Sequence, residues 1–116
     1  MSDMNIESVT QGEITILRTQ GYLDDVNGKQ LKTICEKLIE SGRNRFVFNL
    51  AGTPAINSTG LSMVLDIAVK VIDYNDGKIA ITGLTKLTRT ALQMTGILTL
   101  CDAFETEQEA VAEISK

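Results

Sequence analysis

A chain of 116 residues, 43% hydrophobic and 22% charged, has the size and composition of one globular domain with its own core. A formal charge of −4 and an aromatic content of 4% argue against a basic, base-stacking nucleic-acid surface and against an electrostatic grip on anionic membranes. Histidine is absent, which removes the commonest general base and the commonest transition-metal ligand, and a His-dependent catalytic triad with them. The two cysteines, Cys35 and Cys101, have no CxxC spacing and lie in apolar surroundings, the pattern of buried free thiols in a reducing compartment. No apolar run reaches the length of a membrane span, and the polar start Met1-Ser2-Asp3-Met4-Asn5 lacks the form of a signal peptide, so a cytoplasmic protein is expected.

In chain order, residues 5–10 and 13–20 form two alternating or β-branched runs parted by Gln11-Gly12, which predicts a β-hairpin. Gly21 ends the second strand. After Asp24-Asp25, Leu31, Ile34, Cys35 and Leu38 share one helical face, with Lys29, Lys32, Glu36 and Lys37 outside it, and Ser41-Gly42 closes that helix. Residues 45–50 read as a central strand, apolar after one polar start. The turn at 51–57 holds Pro54, the only proline, which fixes its own φ and pushes Thr53 out of the helical region, so the turn is expected to be extended and stiff.

From Ser58 to about Tyr74 the helical period returns, with Leu61, Val64, Leu65, Ala68, Val71 and Ile72 together and Ser62, Asp66, Lys70 and Asp73 opposite; Met63 falls toward the polar side. Asn75-Asp76-Gly77 is a turn and residues 78–84 a buried strand. Thr85 caps a third helix over 86–95 with Gly96 as its stop. Phe104 falls in a last short strand, and Thr106 with Glu109 has the spacing of a capping box before a terminal helix. Alternating strands and helices predict an α/β domain over residues 1–116, a mixed sheet of four to five strands with about four helices packed on it.

The chemistry concentrates at Asn57-Ser58-Thr59-Gly60, between the central strand and the second long helix. A helix start offers unpaired N–H groups and partial positive charge, suiting a capping hydroxyl and equally a phosphate ester. Ser58 is therefore either a cap or a switch. The acids at 24–25 and within 105–109 stand at turns or in helix first turns, where the dipole favours them, and are read as structural.

The run from Phe48 to Leu65, Phe-Asn-Leu-Ala-Gly-Thr-Pro-Ala-Ile-Asn-Ser-Thr-Gly-Leu-Ser-Met-Val-Leu, resembles the signature of the STAS domain of bacterial anti-sigma factor antagonists, in which a strand ending Asp-Leu turns into Asp-Ser-Ser-Gly or Asp-Ser-Thr-Gly, then Leu-Gly and an apolar helix. Gly21-Tyr22-Leu23-Asp24 is similar to the family's Gly-Glu-Leu/Ile-Asp turn and Met94-Thr95-Gly96-Ile97 to its Met-Ser-Gly-Leu helix ending. All three occur in the family's order, so the resemblance covers essentially the whole chain.

The resemblance implies a non-enzymatic partner switch that needs no cofactor or metal. The unmodified form binds an anti-sigma factor, a GHKL-type serine kinase, and releases a sigma factor; phosphorylation by that kinase ends the complex, and a PP2C-type phosphatase restores it. Carried over by position, the acceptor is Ser58, with Thr59 a second candidate, and a phosphate there is expected to meet the N–H groups of Gly60 and Leu61. The implied docking surface takes in Tyr22, Leu23, Asp24, Asn57, Ser58, Thr59, Gly60, Ser62, Met63 and Asp66, with Lys70 on the same side; Asp24 is either a partner for a basic residue or the N-cap of the first helix. Three positions depart from the pattern: Asn57 stands for Asp, Tyr22 for Glu and Ser62 for Gly. Asn keeps the shape of Asp and drops its charge. The rival readings are a STAS-type scaffold that docks a partner constitutively, as in lipid-transport accessory subunits or stress-signalling assemblies, and a small nucleotide-binding or catalytic module, for which the nine glycines supply none of the phosphate-loop spacings.

Overall fold

A computed structural model describes residues 5–116; the polar start, residues 1–4, lies outside the described residues. Strand β1 (Asn5–Gln11) runs antiparallel to β2 (Ile14–Gln20), with Gly12 at φ 62° in the two-residue turn between them. Strands β3 (Arg45–Gly52), β4 (Lys78–Thr82) and β5 (Asp102–Phe104) then add in parallel, giving a five-stranded mixed sheet in the order β1-β2-β3-β4-β5. The parallel steps are crossed by helices α1 (Asp25–Glu40), α2 (Ser58–Ile72), and α3 (Lys86–Met94) followed by α4 (Ile97–Leu100); α5 (Glu107–Ile114) ends the chain.

The central strands β3 and β4 carry apolar residues on both faces because both faces are covered. Phe46, Phe48 and Leu50 of β3 point into the larger core with Leu17, Ile79 and Ile81, under Leu31 and Cys35 of α1, Val64, Ile67, Ala68 and Val71 of α2, Leu92 of α3 and Ile97 of α4. Val47 points the other way, with Ile14, Ile16 and Ala80, against Ala110 and Ile114 of α5. Truncating either buried phenylalanine to alanine removes enough packing to cost about 3–5 kcal/mol.

Helix α5 is short, and polar contacts hold it to the sheet. Arg18 grips Glu107 with two parallel bonds, Nε to Oε2 at 2.7 Å and Nη2 to Oε1 at 2.9 Å, while Asn49 Nδ2 donates to Glu107 Oε2 at 2.8 Å. At the other end Arg45 Nη1 donates to the Ile114 carbonyl at 3.0 Å, satisfying a C-terminal acceptor. The Arg18 hydrogen bonds, with Asn49 adding to them against the cost of burial, hold the Glu107 carboxyl at about 2, well below its ordinary value.

The hairpin, the central strand, the capping box of Thr106 with Glu109 and the two buried free thiols match expectation. Burial, chiefly, pushes each thiol up to about 12. Strand β3 runs on to Gly52, two residues into the expected turn, and three further details differ. Strand β4 ends at Thr82 rather than residue 84, because Gly83 takes φ 78° and turns the chain. Ile67 joins the buried face of α2. Gly96, at φ 79°, stops α3 as expected but leads directly into α4, a single turn that carries Ile97 into the core.

Candidate docking and modification site

At the C-terminal end of the parallel strands, the loops after β2 and β3 are zipped together. Gly21 N–H donates to the Gly52 carbonyl at 3.0 Å, Leu23 N–H to that of Ala55 at 3.0 Å, and Asn57 N–H to that of Leu23 at 3.1 Å. Leu23 and Ile56 form an isolated parallel bridge. Buried Thr53 anchors the proline turn from below, its Oγ1 2.6 Å from Thr19 Oγ1. Gly60 is buried against the same loop; a β-carbon there would overlap the Leu23 carbonyl. These contacts bring the Gly21–Asp24 turn and the Asn57–Gly60 turn into one surface.

The structure assigns the capping role to Asn57 rather than to Ser58. Asn57, in extended conformation at φ −95° and ψ 177°, is the N-cap of α2, its Oδ1 accepting the Gly60 N–H at 2.8 Å, while its carbonyl accepts the Leu61 N–H at 2.9 Å. Ser58 is the first helical residue and not the cap. The N–H groups of Gly60 and Leu61, expected to meet a phosphate, are thus already engaged. Those of Ser58 and Thr59 donate to nothing among the described residues, and so do both hydroxyls, which are exposed.

Asp24 takes its N-cap role, with Oδ1 accepting the Asn27 N–H at 2.9 Å. Buried Asn27 in turn donates Nδ2 to the Tyr22 carbonyl at 2.6 Å, fixing the turn from which the Tyr22 ring projects 45% exposed. Leu23 is fully buried, so it supports the surface from beneath. Ser62 is exposed, with its hydroxyl donating to the Ser58 carbonyl at 3.1 Å. Asp66 is exposed and pairs with Lys32 at 3.3 Å; Lys70 is tied to Glu36 at 2.6 Å, and that hydrogen bond draws the Glu36 carboxyl below its ordinary value. Met63 is not an outward residue: it is half-buried, and its side chain lies where a β-carbon on Gly28 of α1 would stand.

Two apolar residues at this end escaped the sequence reading. Val26 in the first turn of α1 is 52% exposed and Leu87 in the first turn of α3 is 63% exposed. Both lie off the core-facing stripe of their helices, next to a cap, and that position was the available signal. The assembled surface is a neutral to acidic rim of Asp24, Asp25 and Asp66 around apolar points and a pair of free hydroxyls. Among the described residues no group of three or more His, Cys, Asp or Glu side chains could hold a metal ion, and no helix is long and apolar enough to cross a membrane.

The family model of the STAS domain matches residues 5–110. The chain belongs to the STAS domain family. Solved structures share the STAS architecture at low identity. A Thermotoga maritima protein superposes with TM-score 0.87 at 20% identity, covering 96% of this chain and 95% of that one. An anti-sigma factor antagonist from Mycobacterium paratuberculosis gives 0.82 at 14% identity, covering 98% and 96%. The anti-sigma factor antagonist SpoIIAA in its unphosphorylated form gives 0.73 at 20% identity, covering 97% of each. At such identities the likeness carries the STAS fold alone. No curated protein matches the chain in sequence.

Proposed function

We propose that this STAS domain is an anti-sigma factor antagonist whose docking surface is switched by phosphorylation of Ser58. In the unmodified state the surface around Tyr22, Asp24, Asn57, Ser58, Ser62 and Asp66 binds an anti-sigma factor serine kinase of the GHKL type and releases a sigma factor. Transfer of a phosphoryl group to the Ser58 hydroxyl ends that complex, and a PP2C-type phosphatase reverses the step. The domain itself carries out no chemistry. Structures of SpoIIAA in its unphosphorylated and its phosphorylated form are among the similar folds, which is consistent with this reading.

The observation that carries it is the division of labour between Asn57 and Ser58. Because Asn57 caps α2, the Ser58 hydroxyl has no structural task; it stands exposed at the positive end of a 15-residue helix beside two unengaged N–H groups. A phosphate there adds close to two negative charges to a rim that already holds Asp24 and Asp66, and repels a partner without unfolding the helix. Thr59 shares the exposure and is the second acceptor. Asn57 supplies the cap without the charge of the family's Asp, which favours the constitutive scaffold as the second reading if a kinase needs that carboxylate.

Capture of the cognate kinase by wild type, Ser58→Ala and Ser58→Asp separates the readings. A switch leaves Ser58→Ala bound in the presence of ATP while wild type is released and Ser58→Asp never binds. A scaffold binds in all three forms.

A further inference from the structure

The two edges of the sheet are unlike. Strand β5 is three residues long, which blunts that edge. Strand β1 is seven residues long and pairs with β2 in unbroken register from Asn5↔Gln20 to Gln11↔Ile14. It has no proline, no lysine and no bulge, and among the described residues no further strand lies beside it. Proteins ordinarily protect such an edge with those devices. The single charge on β1, Glu7, makes one bond at 3.2 Å to Arg18, a cation it shares with Glu107.

We infer that β1 is a homodimerisation edge: two copies pair antiparallel through Asn5–Gln11 about a two-fold axis at Ser8, joining their sheets into one of ten strands. The inference is independent of the switch at Ser58. Its occupant follows from the strand's complementarity to itself. In a two-fold antiparallel pair, opposed side chains lie on the same face, so the register must centre on a residue. Centring on Ser8 overlaps all seven residues, setting Asn5 against Gln11, Ile6 against Thr10 and Glu7 against Val9 of the second copy. Centring on Glu7 would oppose like charges and shorten the overlap. The Ser8 register instead places Glu7 beside Val9, an apolar partner, and leaves its bond to Arg18 in place. Half-buried Ile6 and Val9, which pack against opposite cores, each gain a neighbour across the junction. The Ser58 surface, following β3 and two strands in from this edge, stays open on both copies.

The register makes the test specific, because only a residue on the axis meets itself. Cys35 and Cys101 are buried, so a cysteine placed on β1 is the accessible thiol. The full-length Ser8→Cys variant under mild oxidation is expected to form a disulfide-linked dimer, whereas Glu7→Cys alone is not and the Glu7→Cys, Val9→Cys double variant is. Sedimentation equilibrium of the wild type is expected to show a monomer–dimer equilibrium that Ser8→Lys, which sets two like charges on the axis, weakens by about tenfold or more. Circular dichroism of each variant confirms that the domain has folded. Wild type remaining monomeric across the concentration range, or the Glu7→Cys variant cross-linking to itself as readily as the Ser8→Cys variant, would overturn the inference; so would a dimer that Ser8→Lys leaves intact.

Discussion

Gly60 of α2 lies so close to the carbonyl of Leu23 that no side chain fits between them. The glycine is the point at which the start of the second helix is pressed onto the loop before the first, and the Asn57 N–H donates to that same carbonyl at 3.1 Å. Gly60→Ala therefore forces the two turns apart. It should cost about 2–3 kcal/mol in urea unfolding, with a loss of partner binding larger than the loss of stability explains.

The cap and the acceptor separate by mutation. Asn57→Ala removes the bond to the Gly60 N–H and should destabilise the domain by about 1 kcal/mol. Ser58→Ala removes a hydroxyl with no partner among the described residues and should change stability by less than about 0.5 kcal/mol. Asn57→Asp keeps the cap and adds a favourable charge at the helix start, a gain of about 0.5 kcal/mol. Equal losses for Asn57→Ala and Ser58→Ala in the same urea series would contradict this assignment.

Glu107 sets an acid limit. Its carboxyl is held at about 2 by Arg18 when folded and takes its ordinary value of 4.5 when the clamp is gone, so between those values the unfolded chain binds more protons. Stability from this group is fully present above about pH 4.5 and is lost as the pH falls toward 2. Glu107→Gln should flatten that part of the stability–pH curve while lowering stability at neutral pH, measured by urea unfolding at stepped pH.

The strands and helices were legible because the apolar residues repeat at clear periods and the turns carry Gly, Pro and capping residues. What escaped depends on contacts distant in sequence. Asn57 and Ser58 are both capping types, and the choice falls on Asn57 because the turn holds it in extended backbone with its N–H on the Leu23 carbonyl. Met63 reads as outward on a helical wheel; it is half-buried because Gly28 on the neighbouring helix leaves a gap for it. Four residues, Ile97 to Leu100, are too few to show a period, so α4 was invisible behind the stop signal at Gly96. The surface around Ser58 was legible as a pair of motifs, but the exposure of Val26 and Leu87 at the helix starts on the same end of the sheet followed only from the strand order.

The two thiols offer a probe of the core. With burial holding each at about 12, Cys35 and Cys101 should resist alkylation at neutral pH in the native domain and react fully in denaturant, as read by mass spectrometry. Rapid labelling of either in the native state would place it outside the core that positions α1 and α4.

The most direct test of the switch is the intact mass of this protein and of its Ser58→Ala variant, each purified from its own cells under stress and non-stress conditions. One added phosphoryl group is expected on the wild type, in a fraction that changes with condition, and none on Ser58→Ala. Wild type free of phosphate under every condition, or a phosphate that persists in Ser58→Ala, would contradict it.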